Sequence, residues 1–160
     1  MPKIENKWDS LYDPGKQTWF TKLEEKAINW YFSRMFGKTI LSASGVKSGK
    51  IFEPGCGSGM TCVQFAQDGF DITLMDLSPN ALKKALTTFE NFGQSCKFTI
   101  GDLFNLPFPD EEFDVVFNQG VMEHFKIAGI SPDVGIQEML RVVKKDGTLV
   151  ILVPAFFSPL

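Results

Sequence analysis

Carboxylate and amide side chains recur at one kind of place in this chain, directly after short apolar runs. Glu53 follows Ile51-Phe52, Asp76 follows Ile72-Thr73-Leu74-Met75, Asp102 follows Phe98-Thr99-Ile100-Gly101, and Asn118-Gln119 follow Val115-Val116-Phe117. Such groups accept hydrogen bonds, and the two amides also donate. Around the first of them the chain reads IFEPGCGSG over 51–59, with glycines at Gly55, Gly57 and Gly59 around Cys56. Glycines in such a loop let backbone N–H groups approach a ligand that a Cβ would hold off. A helix N-terminus behind them favours negative charge. The spacing is Gly-x-Gly-x-Gly, not the Gly-x-Gly-x-x-Gly of the dinucleotide loop, and no Lys-Ser/Thr follows to grip a phosphate.

The other acids extend the argument. Asp76 lies 21 residues beyond Gly55, where an acid, with Leu77 beside it, can accept from ribose hydroxyls. Its plainer reading is a turn acid or an N-cap. Asp102 beside Leu103 suits an adenine, the carboxylate taking the exocyclic amine and the leucine packing on the ring face. The plainer reading is an ordinary turn aspartate. Asn118 and Gln119 can meet the amino acid end of a ligand. Together these residues describe a site for a nucleoside with a polar tail and no phosphates.

Strands and helices must place these groups at one edge. Apolar and β-branched runs predict strands at 50–53, 71–76, 96–100, 114–118 and 148–153, and helical patterns fall at about 59–68, 79–92 and 133–144. Ser78 before Pro79 reads as an N-cap with proline at the first helical position. Lys145-Asp146-Gly147 predicts a turn between the last helix and the last strand. The alternation implies a parallel sheet with right-handed crossovers, whose ligands bind beyond the carboxyl ends of the strands. Upstream, Phe20, Leu23, Ala27, Trp30, Tyr31 and Met35 form a helical stripe over about 18–36, and a second short helix is expected at about 39–46. Residues 1–16 read as an irregular arm. The expected organisation is an arm and helical lid over 1–49 and a core over 50–160.

The totals fit one domain of 160 residues, 44% hydrophobic and 22% charged. A net charge of −3 speaks against a nucleic-acid or anionic-membrane partner. The charge is uneven. Residues 1–50 carry nine Lys/Arg against five Asp/Glu, and residues 51–160 carry seven against fourteen. The basic segment either attracts an anionic substrate or is a solvated helix face. Cys56, Cys62 and Cys96 have no paired framework, and with a single histidine, His124, no metal site is expected. No signal-peptide segment or membrane-spanning run is read, so a cytoplasmic location is expected.

Four segments in order, FEPGCGSG, MDLSPNAL, GDLFNLPFPDEEFDVVFNQGVMEHF and EMLRVVKKDGTLVILVP, resemble a class I S-adenosylmethionine-dependent methyltransferase of the small-molecule, methyltransferase type 11-like kind. The resemblance runs from Lys50 to Pro154. It implies a Rossmann-like open α/β sheet with helices on both faces and an N-terminal helical lid. It further implies that Glu53 and the Gly55–Gly59 loop hold the methionine part of S-adenosyl-L-methionine. Asp76 would hold the ribose, Asp102 and Leu103 meet the adenine, and Asn118 and Gln119 line the sulfonium end. The reaction implied is in-line displacement of a methyl onto a small-molecule acceptor, leaving S-adenosyl-L-homocysteine, with alignment as the enzyme's main contribution. His124, after Glu123, is either a base for a protonated acceptor or a residue that shapes the pocket. Trp8, Tyr12 and Trp19 are lid and substrate candidates, since aromatic faces favour cations; Phe20, Leu23, Ala27 and Trp30 equally read as helix packing.

The chain departs from the resemblance at its end. The family's sheet usually has seven strands, whereas this sequence stops at Leu160, just past the fifth. Strands six and seven are therefore expected to be absent. That leaves 148–153 as an open edge suited to pairing with a second copy, with Phe156 and Phe157 adding apolar surface. The sequence equally fits a fragment of a longer enzyme, or a cofactor-binding or interaction module that does not catalyse. A nicotinamide oxidoreductase is disfavoured by the glycine spacing.

Overall fold

The computed structural model describes residues 19–127 and 129–153. Trp8 and Tyr12 lie outside the described residues, as do the side chain of Trp19 and Phe156 and Phe157. Helix α1 spans Trp19–Ser44, followed by β1 (Lys50–Pro54), α2 (Met60–Gln67), β2 (Asp71–Asp76), α3 (Pro79–Asn91) and β3 (Lys97–Ile100). The chain continues through β4 (Phe113–Gln119), α4 (Met122–Ile127), α5 (Asp133–Val142) and β5 (Val143–Leu152). The strands form one parallel sheet in the order β3-β2-β1-β4-β5. The sheet is thus wound outward in both directions from β1. The gap between β1 and β4 is the switch point beyond whose carboxyl ends ligands of such sheets bind.

Both faces of the sheet are covered, which is why successive residues of β1, Ile51 and Phe52, are both fully buried. Ile51 joins Ile40 of α1, Val63 and Phe65 of α2, and Leu82, Ala85 and Phe89 of α3 in one core. Phe52 faces the other way and joins Leu103, Leu106, Met122 of α4, and Met139 and Val142 of α5. It stacks on Phe113 with ring centroids 4.8 Å apart. Helix α3 begins as its sequence dictates, with Ser78 Oγ accepting from Ala81 N at 3.1 Å and Pro79 in the first turn. The five strands and the helices on both faces agree with the expected α/β fold, and no sixth or seventh strand occurs among the described residues. No described helix is long and apolar enough to cross a membrane.

The structure corrects the sequence reading in three places. The two helices expected upstream are one, α1, running through Gly37. There the missing Cβ admits Phe65 and Gln64 of α2, which a side chain would meet at 3.4 and 3.5 Å, so packing outweighs glycine's weak helix propensity. The helix expected over 133–144 stops at Val142, and Lys145-Asp146-Gly147 is a bulge within β5 instead of a free turn. Between the pairs Phe113↔Val143 and Val115↔Thr148, β4 advances two residues and β5 five. Asp114 pins this irregularity by accepting from Lys144 Nζ at 2.6 Å and from Lys50 N at 2.8 Å. Burial opposes ionisation there, yet the hydrogen bonds from Lys144 and Lys50 hold the Asp114 carboxyl below the usual range. Finally, α4 was not anticipated; it is six residues long, too short for a helical period to stand out.

Candidate functional site

The carboxyl ends of β1, β2 and β4 bring Glu53, Asp76 and Asn118 to one rim, with the glycine loop between them. β1 and β4 are neighbours in register, so Glu53 and Asn118 close adjacent strands. Asn118 is fully buried. Its Nδ2 donates to Pro54 O at 2.7 Å, which fixes the amide orientation and leaves Oδ1 buried without a partner. Glu53 is 4% exposed, and its Oε2 is likewise buried without a partner. A buried acceptor left unpaired is costly and calls for a reason. Burial first, and the nearby Asp76 charge, push the Glu53 carboxyl up to about 8, although a hydrogen bond with Cys62 opposes the rise.

The loop itself is arranged differently from the expectation. Gly55 N and Cys56 N both donate to Met75 O, at 2.7 and 3.1 Å, and Gly59 N donates to Cys56 O at 2.9 Å. Gly57 N donates to Asp76 Oδ2 at 2.9 Å. The N–H groups of Gly55, Cys56 and Gly57 therefore hold the loop on β2, and that of Gly59 closes the loop on itself. What glycine supplies is shape. Gly55 has φ +73°, and a Cβ there would stand 2.6 Å from Val121 Cγ2 and 3.5 Å from Asn118 Nδ2. A Cβ on Gly59, at φ +65°, would meet Leu74, Ala85 and Phe89 at 3.0–3.3 Å, so this glycine seats the start of α2 against α3.

Asp76 carries out the turn role and retains capacity for more. Oδ2 takes Gly57 N and Oδ1 takes Ser78 N at 2.9 Å, and the Leu77 backbone adds a third hydrogen bond, which does not exhaust a carboxylate's roughly four lone-pair positions. Burial raises its pKa, against the hydrogen bonds from Ser78, Gly57 and Leu77. Leu77 is partly exposed at the end of β2. Asp102 makes the turn predicted as its plainer reading, its Oδ1 accepting from Phe104 N at 3.0 Å. Leu103 is turned into the core against Gly135 of α5, where a Cβ would stand 3.2 Å from its Cγ. It is a member of the core beneath the loop after β3. Gln119 Oε1 lies 3.4 Å from the Thr61 hydroxyl of α2. His124 stands half-exposed on α4, 3.8 Å from Glu123 Oε1, at the same end of the sheet.

Sequence reasoning passed over four residues at this rim. Val121 packs against the Gly55 backbone, and Cys62 reaches Glu53 from the first turn of α2. Phe104 and Phe125 meet edge to face at 4.7 Å, joining the segment after β3 to α4. Only the aromatic pair left a signal, in the short spacing of Phe104 and Phe125 from the ends of β3 and β4. Cys56 and Cys62 are not nucleophiles here; burial, then the Glu53 charge, pushes both thiols well up. Among the described residues no cluster of His, Cys, Asp and Glu could hold a metal ion.

Loop 101–112 is held by α5. Arg141 donates to Phe108 O at 2.8 Å, Leu106 O at 3.0 Å and Asp110 Oδ1 at 2.8 Å. It also pairs with Glu138, which accepts from Leu106 N at 2.8 Å. Arg141, above all by its hydrogen bonds, holds the Glu138 carboxyl below the usual range.

A doubly wound parallel sheet, a glycine loop after β1, and acceptors at three strand ends define a Rossmann-like class. Within that class the chain belongs to a methyltransferase family: the family model described as "Methyltransferase domain" matches residues 52–151. It is 29% identical over 147 residues to norajmaline N-methyltransferase of Rauvolfia serpentina, covering 90% of this chain and 49% of that enzyme. It is 30% identical over 131 residues to demethylmenaquinone methyltransferase of Beutenbergia cavernae, covering 81% and 51%. The chain thus spans about half the length of these curated relatives. Among solved structures it is similar to the [4+2]-cyclase SpnF, with TM-score 0.64, 27% identity, and 74% and 44% of the two chains covered. A protein from Pyrococcus horikoshii OT3 gives TM-score 0.66 and 26% identity, with 76% and 57% covered.

Proposed function

We propose that this chain binds S-adenosyl-L-methionine and takes part in methyl transfer to a small-molecule acceptor by in-line displacement. The observation that carries the reading is the buried, unpartnered acceptor Glu53 Oε2 at the end of β1, next to the glycine loop, with a second such acceptor, Asn118 Oδ1, near the end of the neighbouring strand. A primary ammonium is a donor that a buried carboxylate oxygen fits, and the cofactor's methionine part carries one. The bound cofactor supplies an electrophilic methyl on positive sulfur. The chain's own residues bind and orient. Glu53, Asn118 and the loop through Gly55, Cys56, Gly57 and Gly59 take the methionine part. Asp76, with Leu77, uses its remaining lone pairs for the ribose, Asp102 lies on the base side, and Gln119 lines the sulfonium end. Leu103 supports the base side from within the core. His124 is the proposed base for an acceptor that must lose a proton.

Small-molecule acceptors are supported by relatives named for norajmaline and demethylmenaquinone. A second reading, a cofactor-binding module that does not transfer methyl groups, is favoured by the likeness to a protein named as a [4+2]-cyclase. Calorimetry with S-adenosyl-L-homocysteine, followed by a methyl-release assay over amine and hydroquinone acceptors, separates them. Binding with turnover is the expected result, with His124→Gln losing turnover but not binding. Binding without turnover over the panel supports the second reading, and no binding removes both. The domain boundary at residue 49, the lid role of Trp8, Tyr12 and Trp19, pairing of two copies through 148–153, and a cytoplasmic location belong to this proposal.

A further inference from the structure

The polar groups around Glu53 are unusual in sign. Among the described residues, no ion pair with lysine or arginine reaches Glu53 or Asp76. The titratable groups that face Glu53 are Cys56 from the glycine loop, Cys62 from α2 and Asp76 from β2. None of these is a cation. From β4 the residue on the Glu53 face of the sheet is the apolar Phe117, while Asn118, one residue on, takes the other face. Among the described residues a carboxylate buried beside one acid and two thiols has no counter-ion to stabilise its charge, so the neutral acid is the form such a place holds. Oε2 itself is buried with no hydrogen-bond partner among the described residues.

We propose that Glu53 is an uncharged carboxylic acid in the empty protein and that entry of a primary ammonium expels its proton, so that cofactor binding and proton release are one event. The inference rests on the functional reading above, which supplies the ammonium. The balance is simple. The Glu53 O–H bond breaks and its proton leaves to the buffer; the resulting carboxylate accepts N–H from the ammonium, and the pair enters burial with no net charge. Two consequences follow. The ligand's charge is recognised by a group that is neutral until the ligand arrives, so the empty site does not hold a bare buried anion. Affinity also depends on pH with a definite sign. Below the range in which Glu53 ionises, each binding event must displace a proton, so affinity rises with pH and flattens once the empty protein has already lost it.

The test is calorimetric titration with S-adenosyl-L-homocysteine at about pH 6.5, where the ligand's amine is still charged. Running it in two buffers of different ionisation enthalpy gives the number of protons released. Close to one proton per ligand is expected for the wild type, and none for Glu53→Gln. Binding with no proton release, or equal release from Glu53→Gln, overturns the inference while leaving the functional reading intact. Absence of binding overturns both. Should the variant fail to fold, infrared spectroscopy of the wild type with glutamate-specific carbon-13 labelling decides. The carbonyl band of a protonated glutamic acid must be present in the empty protein and vanish on adding ligand; a band absent throughout, or unchanged by ligand, contradicts the proposal.

Discussion

The two ends of the sheet are built on opposite electrostatic plans. At the amino ends charges pair across neighbouring segments: Lys50 with Glu112, Lys97 with Asp71, and Lys144 with Asp114, at 2.6–2.7 Å. At the carboxyl ends stand Glu53, Asp76, Asn118 and Glu123. Three of the four buried side-chain atoms without partners among the described residues belong to this set. The amino end pairs these charges within the chain. The carboxyl end keeps buried acceptors without partners among the described residues, and in the proposed function the ligand's ammonium is the donor they meet. Exposed pairs contribute little to stability, whereas unpaired buried acceptors cost more. The end that holds the site is therefore the one that weakens the fold.

The largest expected difference between the ends comes from Asn118→Leu. It removes one of the two orphaned oxygens and the bond to Pro54, and loss of a charge-assisted hydrogen bond of roughly 1.5–3 kcal/mol predicts roughly a 10- to 100-fold loss of affinity for S-adenosyl-L-homocysteine by calorimetry. Gly55→Ala is next. A Cβ 2.6 Å from Val121, at φ +73°, predicts destabilisation of roughly 1–3 kcal/mol in urea unfolding. Adding Val121→Ala should recover the steric part and not the backbone part.

Stability against pH sharpens the contrast further. The folded Glu53 carboxyl sits at about 8 against an ordinary 4.5, so folding takes up a proton between these values. The stability this group contributes is fully present below about 4.5 and is lost as pH rises through about 8. Urea midpoints of the empty protein should therefore fall across that window, and Glu53→Gln should flatten the decline. Lys97→Ala, at the amino end, should change stability by under about 1 kcal/mol, diminish with salt, and leave ligand affinity unchanged.

Much of this arrangement could be read in the sequence because strand ends are marked twice, by the close of an apolar run and by the polar residue that follows. That pattern placed Glu53, Asp76 and Asn118 correctly on one rim. What it could not show is where each polar atom is spent. The glycine N–H groups were expected to face a ligand, yet Gly55 and Cys56 donate to Met75 O and Gly57 to Asp76; such bonds cross from β1 to β2 and leave no mark on local sequence. Leu103 follows Asp102 in sequence but packs beneath Gly135, a contact set by α5, 32 residues on. The Lys145-Asp146-Gly147 bulge carries turn residues, and only its pairing with β4 through Asp114 makes it part of a strand.

The account stands most directly on a titration of the purified chain with S-adenosyl-L-homocysteine, alongside a nicotinamide dinucleotide as control. One site per chain for the former, abolished or strongly weakened by Asn118→Leu, with no binding of the latter, is the predicted result. Dinucleotide binding without S-adenosyl-L-homocysteine binding would contradict it.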